Sequence, residues 1–363
     1  TVDNAGSLSG TGAITVSGNT VLDNQDGTNA AISLTNASNV FTGSVTFTTD
    51  SGSNVSFTDT TPLDLQSGLS INDLTIVAGG AITQSGTLTV AGTSSFTAGA
   101  NAITLTQGAN DFTGPVSLSN SGTNNVSITD ASAIDLGTVG VGQNLSITAS
   151  GAITDSGVAT IGGTSTFNNS AGSNAAIDLG SASTYTGDVT FTTDAGSNVT
   201  INDSTAFVIQ SGLNVNNLNL TAGGAVTDAG NIDIDGTLTV SATGQTVTLD
   251  GAGNDVTGNI NLSGAAVTFV ETSATAIAGI AATGALSVTA GGAITQIGAI
   301  TNDGQTATLN AGANAITLGQ SNDFGTLDVD GSVTNLSVTD SDDLILAAVT
   351  TSGTLQVTAG GAL

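Results

Sequence analysis

The stretch TFTTDSGSNV at residues 46–55 returns as TFTTDAGSNV at residues 190–199, with nine of ten letters unchanged. A chain that repeats itself must bury its apolar side chains by stacking like on like, and this restricts the fold severely. The phrase runs into Asn54-Val-Ser-Phe-Thr-Asp59, with counterparts Asn125-Val-Ser-Ile-Thr-Asp130, Asn198-Val-Thr-Ile-Asn-Asp203, Ala266-Val-Thr-Phe-Val-Glu271 and Asn335-Leu-Ser-Val-Thr-Asp340. Steps of 71, 73, 68 and 69 residues separate them. A second landmark keeps the same beat: Gly12-Ala-Ile14, Gly80-Ala-Ile82, Gly151-Ala-Ile153, Gly224-Ala-Val226, Gly292-Ala-Ile294 and Gly361-Ala-Leu363. A third is an aromatic slot before glycine, filled by Phe41, Phe112, Tyr185, Val256 and Phe324. The chain is about five copies of a unit near 70 residues.

Each unit divides again. From Leu218 the sequence falls into lines of 19, 22 and 27 residues, each with about three short alternating segments parted by Gly, Asn, Ser or Asp. In the landmark segment Val55 and Phe57 share one face, Ser56 and Thr58 the other, and the same phase holds for Val126 with Ile128 and Val199 with Ile201. This is the period of a strand, and no spacing of three and four persists to suggest a helix. Three strands per line predict an all-β fold, a three-sided parallel β-helix of five units of three coils each. The usual crossover rule makes it right-handed. Like strands would then stack directly over one another at the inter-strand spacing, and sixteen or so coils would give a rod of roughly 75 Å. Residues 1–363 are expected to form a single continuous β-helix segment, excised from or stacking into a longer array.

Composition narrows function. The 363 residues carry 27 Asp, one Glu and no Lys, Arg or His, for a net charge of −28. A polyanion without a cationic side chain cannot displace counterions from nucleic acid phosphates, and anionic lipid surfaces repel it. Cations are its natural electrostatic partners. Without cysteine there are no disulfides or thiolate metal sites, so stability must come from extent of packing. No apolar run is long enough to cross a bilayer as a helix, and no secretory signal is visible.

The runs LTVAGTSSFTAGANAITLTQGANDFTG (88–114) and LSVTAGGAITQIGAITNDG (286–304) resemble the β-helical repeats of filamentous haemagglutinin-like exoproteins. These are large bacterial surface adhesins of the two-partner secretion type. That resemblance implies an extracellular, cell-surface shaft acting as rigid spacer and adhesive surface. The secretion domain of such proteins is not seen here, and the unit is longer than their usual single-coil repeat.

Several chemistries were weighed on their residues. Triads, thiol nucleophiles, Schiff bases and histidine metal sites are excluded by composition, leaving only carboxylates. Asp233 with Asp235, and Asp328 with Asp330, lie two apart on a strand, about 6.5–7 Å from each other. Inverting glycosidases use similar separations, but simple solvation of the outer face explains the spacing equally. No catalytic, cofactor-binding or metal residue is therefore assigned. The recurring acids Asp59, Asp130, Asp203, Glu271 and Asp340 suggest either a cation slot, Ca²⁺ among the options, or a turn-forming residue at a strand end. Asp340-Ser-Asp-Asp-Leu344 reads as a solvated corner. The Thr46-Phe-Thr48 pair raises ice binding, which needs the same pair outward on every coil, and the pairs shift between lines. The expected function is a structural shaft or filament subunit, not an enzyme. Self-association and a host-surface receptor are the expected partners. The rivals are a sugar- or protein-binding adhesin face and an acidic glycoside hydrolase.

Overall fold

The computed structural model describes residues 2–3, 6–25, 27–66, 68–302 and 304–363. Among them there is no helix, and short strands stack in parallel into coils. By packing the chain falls into two units, Thr1–Thr193 and Asp194–Leu363.

In the first unit Ile32–Leu34, Val55–Asp59, Leu74–Ala78, Ser94–Thr97 and Val116–Ser119 lie one above another on one face. Val45–Thr48, Leu63–Gln66, Ile82–Gln84, Ile103–Leu105 and Val126–Asp130 make a second. The short strands Leu69–Ile71, Leu88–Val90 and Asp111–Phe112 make a third. The second unit repeats the plan, with Asn217–Ala222 over Leu238–Ala242, Val226–Asp228 over Val247–Leu249, and Asn214–Val215 over Asp233–Ile234. Each strand donates its backbone groups to the coils on either side, which is how so glycine-rich a chain satisfies its buried amides.

Alternation places the core as the sequence pattern predicts. Val55, Val126 and Val199 are 1%, 0% and 1% exposed, with Phe57, Ile128 and Ile201 beside them. Each such side chain contributes about 1.5–3 kcal/mol on burial. The rings at Phe41 and Phe57 meet at 4.9 Å, and the slot residues Phe112, Tyr185, Val256 and Phe324 are all buried.

The structure refines how units map onto coils. Val55 stacks with Leu74, Leu74 with Ser94 and Ser94 with Val116, three coils up one face. The next landmark residue, Val126, is not on that face; it pairs with Ile103 and Leu145 on the second. The second unit repeats the offset: Val199, Leu218, Leu238 and Ile260 share one face, while Val267 pairs with Val247 on the next. A unit is thus three coils and one strand more. The repeated phrase moves one face round at each recurrence, and equivalent residues do not lie directly above one another.

Candidate functional site: a recurring buried acid

The three sequence landmarks converge on one corner. Within a unit they come from three successive coils: the aromatic slot, then the acid, then the Ala-Gly-Gly run. In the first unit these are Phe41, Asp59 and Ala78-Gly79-Gly80. Asp59 stands opposite Ala78, Asp130 opposite Ala149, Glu271 opposite Ala290 and Asp340 opposite Ala359, so a methyl always faces the carboxylate from the coil above.

The acids point inward. Asp59, Asp130 and Asp203 are 1% exposed, Glu271 and Asp340 3%. They share the phase of Val55 and Phe57, so the alternation that buries the valine must bury the aspartate too. Each carboxylate reaches down to the slot residue's backbone N–H: Phe41 donates to Asp59 (3.0 Å), Phe112 to Asp130 (2.8 Å) and Phe324 to Asp340 (3.0 Å). The same carboxylate accepts the N–H two residues on, from Thr61, Ser132 and Asp342 respectively. Thr205 donates in the same way to Asp203. This is the Asx turn of a strand end, used to bind two coils together.

Of the two sequence readings, the donors favour the turn. A carboxylate ringed by N–H and O–H groups presents its lone pairs to hydrogens, which a cation would have to displace. Among the described residues no three acids converge on a metal position.

Glu271 is the instructive exception. Its slot residue is Val256, smaller than a ring, and the longer side chain still accepts the Val256 N–H at 3.2 Å while Thr275 Oγ1 donates to its other oxygen. The extra methylene supplies reach where the ring's bulk is missing. Shortening it by Glu271→Asp should leave the Val256 N–H unsatisfied, at a cost of about 1–3 kcal/mol. Adding Val256→Phe rebuilds the constellation of the other units and should recover much of it, as chemical denaturation of the three variants would reveal.

Beside each acid lies a buried asparagine that the landmarks did not include. Asn110, fully buried, accepts the Leu88 N–H at 2.9 Å and exchanges two hydrogen bonds of 2.8 Å with the Gln84 amide. Its own amide donates to the Leu105 and Thr129 carbonyls, both at 3.2 Å. Asn322 does the same with Ile300, Gln296 and Thr339. Asn39 and Asn254 accept from Ile14 and Ile232. The signal was present, since Asn precedes the slot by two in four of five units, as at Asn39, Asn110, Asn254 and Asn322.

Burial pushes the Asp130 carboxyl above its ordinary value. The hydrogen bonds from Phe112 and Ser132 oppose that rise and the Asp111 charge adds to it. Glu271 is raised by burial first and by Asp255 in addition, and Asp340 by burial and then by Asp342.

The remaining candidates separate. Ile232 and Ile234 point inward, and Asp233 and Asp235 are exposed; Leu327 and Val329 are buried, with Asp328 and Asp330 outside. Asp233 instead stands in register with Asn214 and Asp255 beside an open depression of about 450 Å³. Its wall residues include Asn231, Gly253 and Thr272 but no aromatic ring. Asn214 donates to Asp233, and the Ser273 hydroxyl to Asp255. Thr46 and Thr48 do point outward, but the coil below sets Val21 and Asp23 against them and the coil above Gln66, so the pair does not repeat. Further along that face a single hydroxyl column runs unbroken through Thr83, Thr104, Ser127, Ser146, Thr166 and Thr190.

Parallel coils, an interior filled by alternation and a polar clamp once per repeat define a β-solenoid repeat protein. The chain belongs to the family described as repeats of unknown function (DUF5649), whose model matches residues 1–48, 52–119, 123–193, 196–263, 264–329 and 333–363. Five of these matches open two residues before Asn54, Asn125, Asn198, Ala266 and Asn335, the same phase as the landmark strand. No curated protein and no solved structure matches the chain.

Proposed function

We propose that this repeat array is a shaft: a stiff, chemically inert spacer in a bacterial cell-surface fibre. The observation that carries the proposal is where the chemistry-bearing residues are spent. The repeated acids and asparagines all bond backbone of neighbouring coils, so the repeat's polar investment goes into coil-to-coil cohesion. Non-catalytic use follows from the same point, as does continuation of the array through further coils, its own kind being the partner. The strand Leu355–Ala359 supports that continuation, since Leu355 is half exposed above the buried Leu336 it pairs with. An extracellular setting agrees with stability that needs neither cation nor thiol.

Electron microscopy of the isolated protein should find slender rods of uniform width; round particles would sink the shaft reading. Proteolysis adds a second check. Trypsin has no Lys or Arg to cut. A protease cleaving after small apolar residues should degrade the denatured chain and leave the folded one long-lived.

The adhesive alternative rests on the hydroxyl column from Thr83 to Thr190. Six coils carry it without a carboxylate, and these hydroxyls could meet those of a neutral polysaccharide. Binding of neutral but not acidic glycans, lost on replacing Ser127, Ser146 and Thr166 with Val, would favour that role over a bare spacer.

A further inference from the structure

Three of the buried acids have a second acid at their elbow, and no cation in the chain can compensate either. The Ser132 hydroxyl lies 2.9 Å from Asp130 Oδ1 and also 2.9 Å from Asp111 Oδ1. A seryl hydroxyl has one hydrogen. It can serve one carboxylate at a time, and the other contact is then oxygen against oxygen. In the next such corner the Ser273 hydroxyl bonds Asp255 at 2.7 Å, beside buried Glu271. In the last, the place of the serine is taken by Asp342, whose N–H bonds Asp340 at 3.2 Å.

We propose that the corners Asp111–Ser132–Asp130, Asp255–Ser273–Glu271 and Asp340–Asp342 are proton-binding sites, each holding one proton between two acids. Such sites make the solenoid firmer as its surroundings become acidic. The missing hydrogen in the Ser132 contact is what a shared proton supplies. The charged groups around each buried acid are all of one sign. Asp111 faces Asp130 from the coil below, Asp255 faces Glu271, and Asp342 lies beside Asp340. The coil above contributes only Ala149 and Ser150, Ala290 and Gly291, or Ala359 and Gly360. With nothing positive nearby, only a proton relieves the pair, as in any two carboxylates that share a site.

The sign follows by linkage. Asp130, Glu271 and Asp340 are each raised on folding. The folded state therefore binds more protons than the unfolded chain as pH falls toward the carboxylate range. Stability is gained there, is fully present below the unfolded values, and is lost as pH rises through the folded ones. This is opposite to the usual acid unfolding of proteins rich in ion pairs.

General charge repulsion in a chain of −28 would also ease on acidification, so the test must separate the two. In 1 M NaCl the screening length is about 3 Å, which suppresses surface repulsion but not contacts inside a corner. Urea unfolding in that salt, at pH 8 and pH 4, is compared for three proteins. These are the natural chain, the triple variant Asp111→Asn/Asp255→Asn/Asp342→Asn, and an equal-charge control with the exposed Asp235, Asp250 and Asp330 changed to Asn. The expected result is a higher urea midpoint at pH 4 in the natural chain and in the control, with the gain largely abolished in the corner variant. A midpoint that falls or stays level on acidification in the natural chain overturns the proposal. So does a corner variant that keeps the same gain as the control. Should the triple variant fail to fold, Asp111→Asn alone against Asp235→Asn decides it: Asp111→Asn must reduce the gain and Asp235→Asn must not.

Discussion

Replacing Asn110 by Ala should cost about 3–5 kcal/mol, more than removing a typical interior methyl group, although the side chain is polar and small. Asn110 is one residue serving three coils. Its oxygen takes the Leu88 N–H and a Gln84 hydrogen from the coil below, and its nitrogen gives to Thr129 in the coil above. Truncation leaves the Leu88 amide and the whole Gln84 head group facing a void with no water route, and each buried unsatisfied group costs about 1–3 kcal/mol. Because coils touch only their neighbours, the damage should be local. Hydrogen exchange should show lost protection at Leu88, Phe112 and Ala131, while Val240 and Leu262 exchange as before. Thr104→Ala, on the outer face of the same stack, should stay within about 0.5 kcal/mol. Equal exchange behaviour in the two variants would remove the asparagine from the list of cohesive groups.

The same residues show how much of the molecule could be read from its letters. Val55, Phe57 and their counterparts specified strand, phase and inward face, because a period of two leaves no other burial. Asp59 belonged to that inward phase as well. Its position in the alternation outweighed its charge, and treating the acid as a possible cation slot gave the charge too much weight. What the sequence could not show was the extra strand per unit. A step of 71 residues is compatible with three long coils or with three and a further strand, and only the register separates them: Val126 lies against Ile103, not Val116. The asparagine clamp was legible by spacing but had no visible meaning until Gln84 and Leu88 were seen one coil away. The Asp111–Ser132–Asp130 contact spans 21 residues, and nothing in the local sequence announces it.

The glycine landmark was conspicuous in the sequence while its cause lay wholly in the stacking. A side chain at Gly291 would place its Cβ 2.0 Å from the Thr272 carbonyl oxygen of the coil below, and Gly79, Gly223 and Gly360 meet Thr60, Ser204 and Ser341 in the same way at 2.2–2.3 Å. None of these four has a positive φ, so the requirement is for space and not for backbone conformation. The close approach exists because the Gly291 N–H bonds the Glu271 carbonyl at 3.0 Å and the Gly292 N–H bonds Ser273 at 2.8 Å, drawing the two corners together. Gly291→Val must therefore either break both bonds or lift one coil by more than an ångström. Both responses pull Glu271 away from Val256 as well. The expected loss exceeds about 4 kcal/mol, in the range reserved for failed packing and broken buried networks. One unit carries its own control. Ser150 occupies the corresponding place, bonds the Asp130 carbonyl at 3.1 Å and already accommodates a Cβ. Ser150→Gly should accordingly shift stability by no more than about 1 kcal/mol, the usual cost of added backbone freedom. If Gly291→Val unfolds at the same denaturant concentration as Ser150→Gly, the corners are looser than the stacking distances imply, and the glycines must be kept for some reason other than the contact between coils.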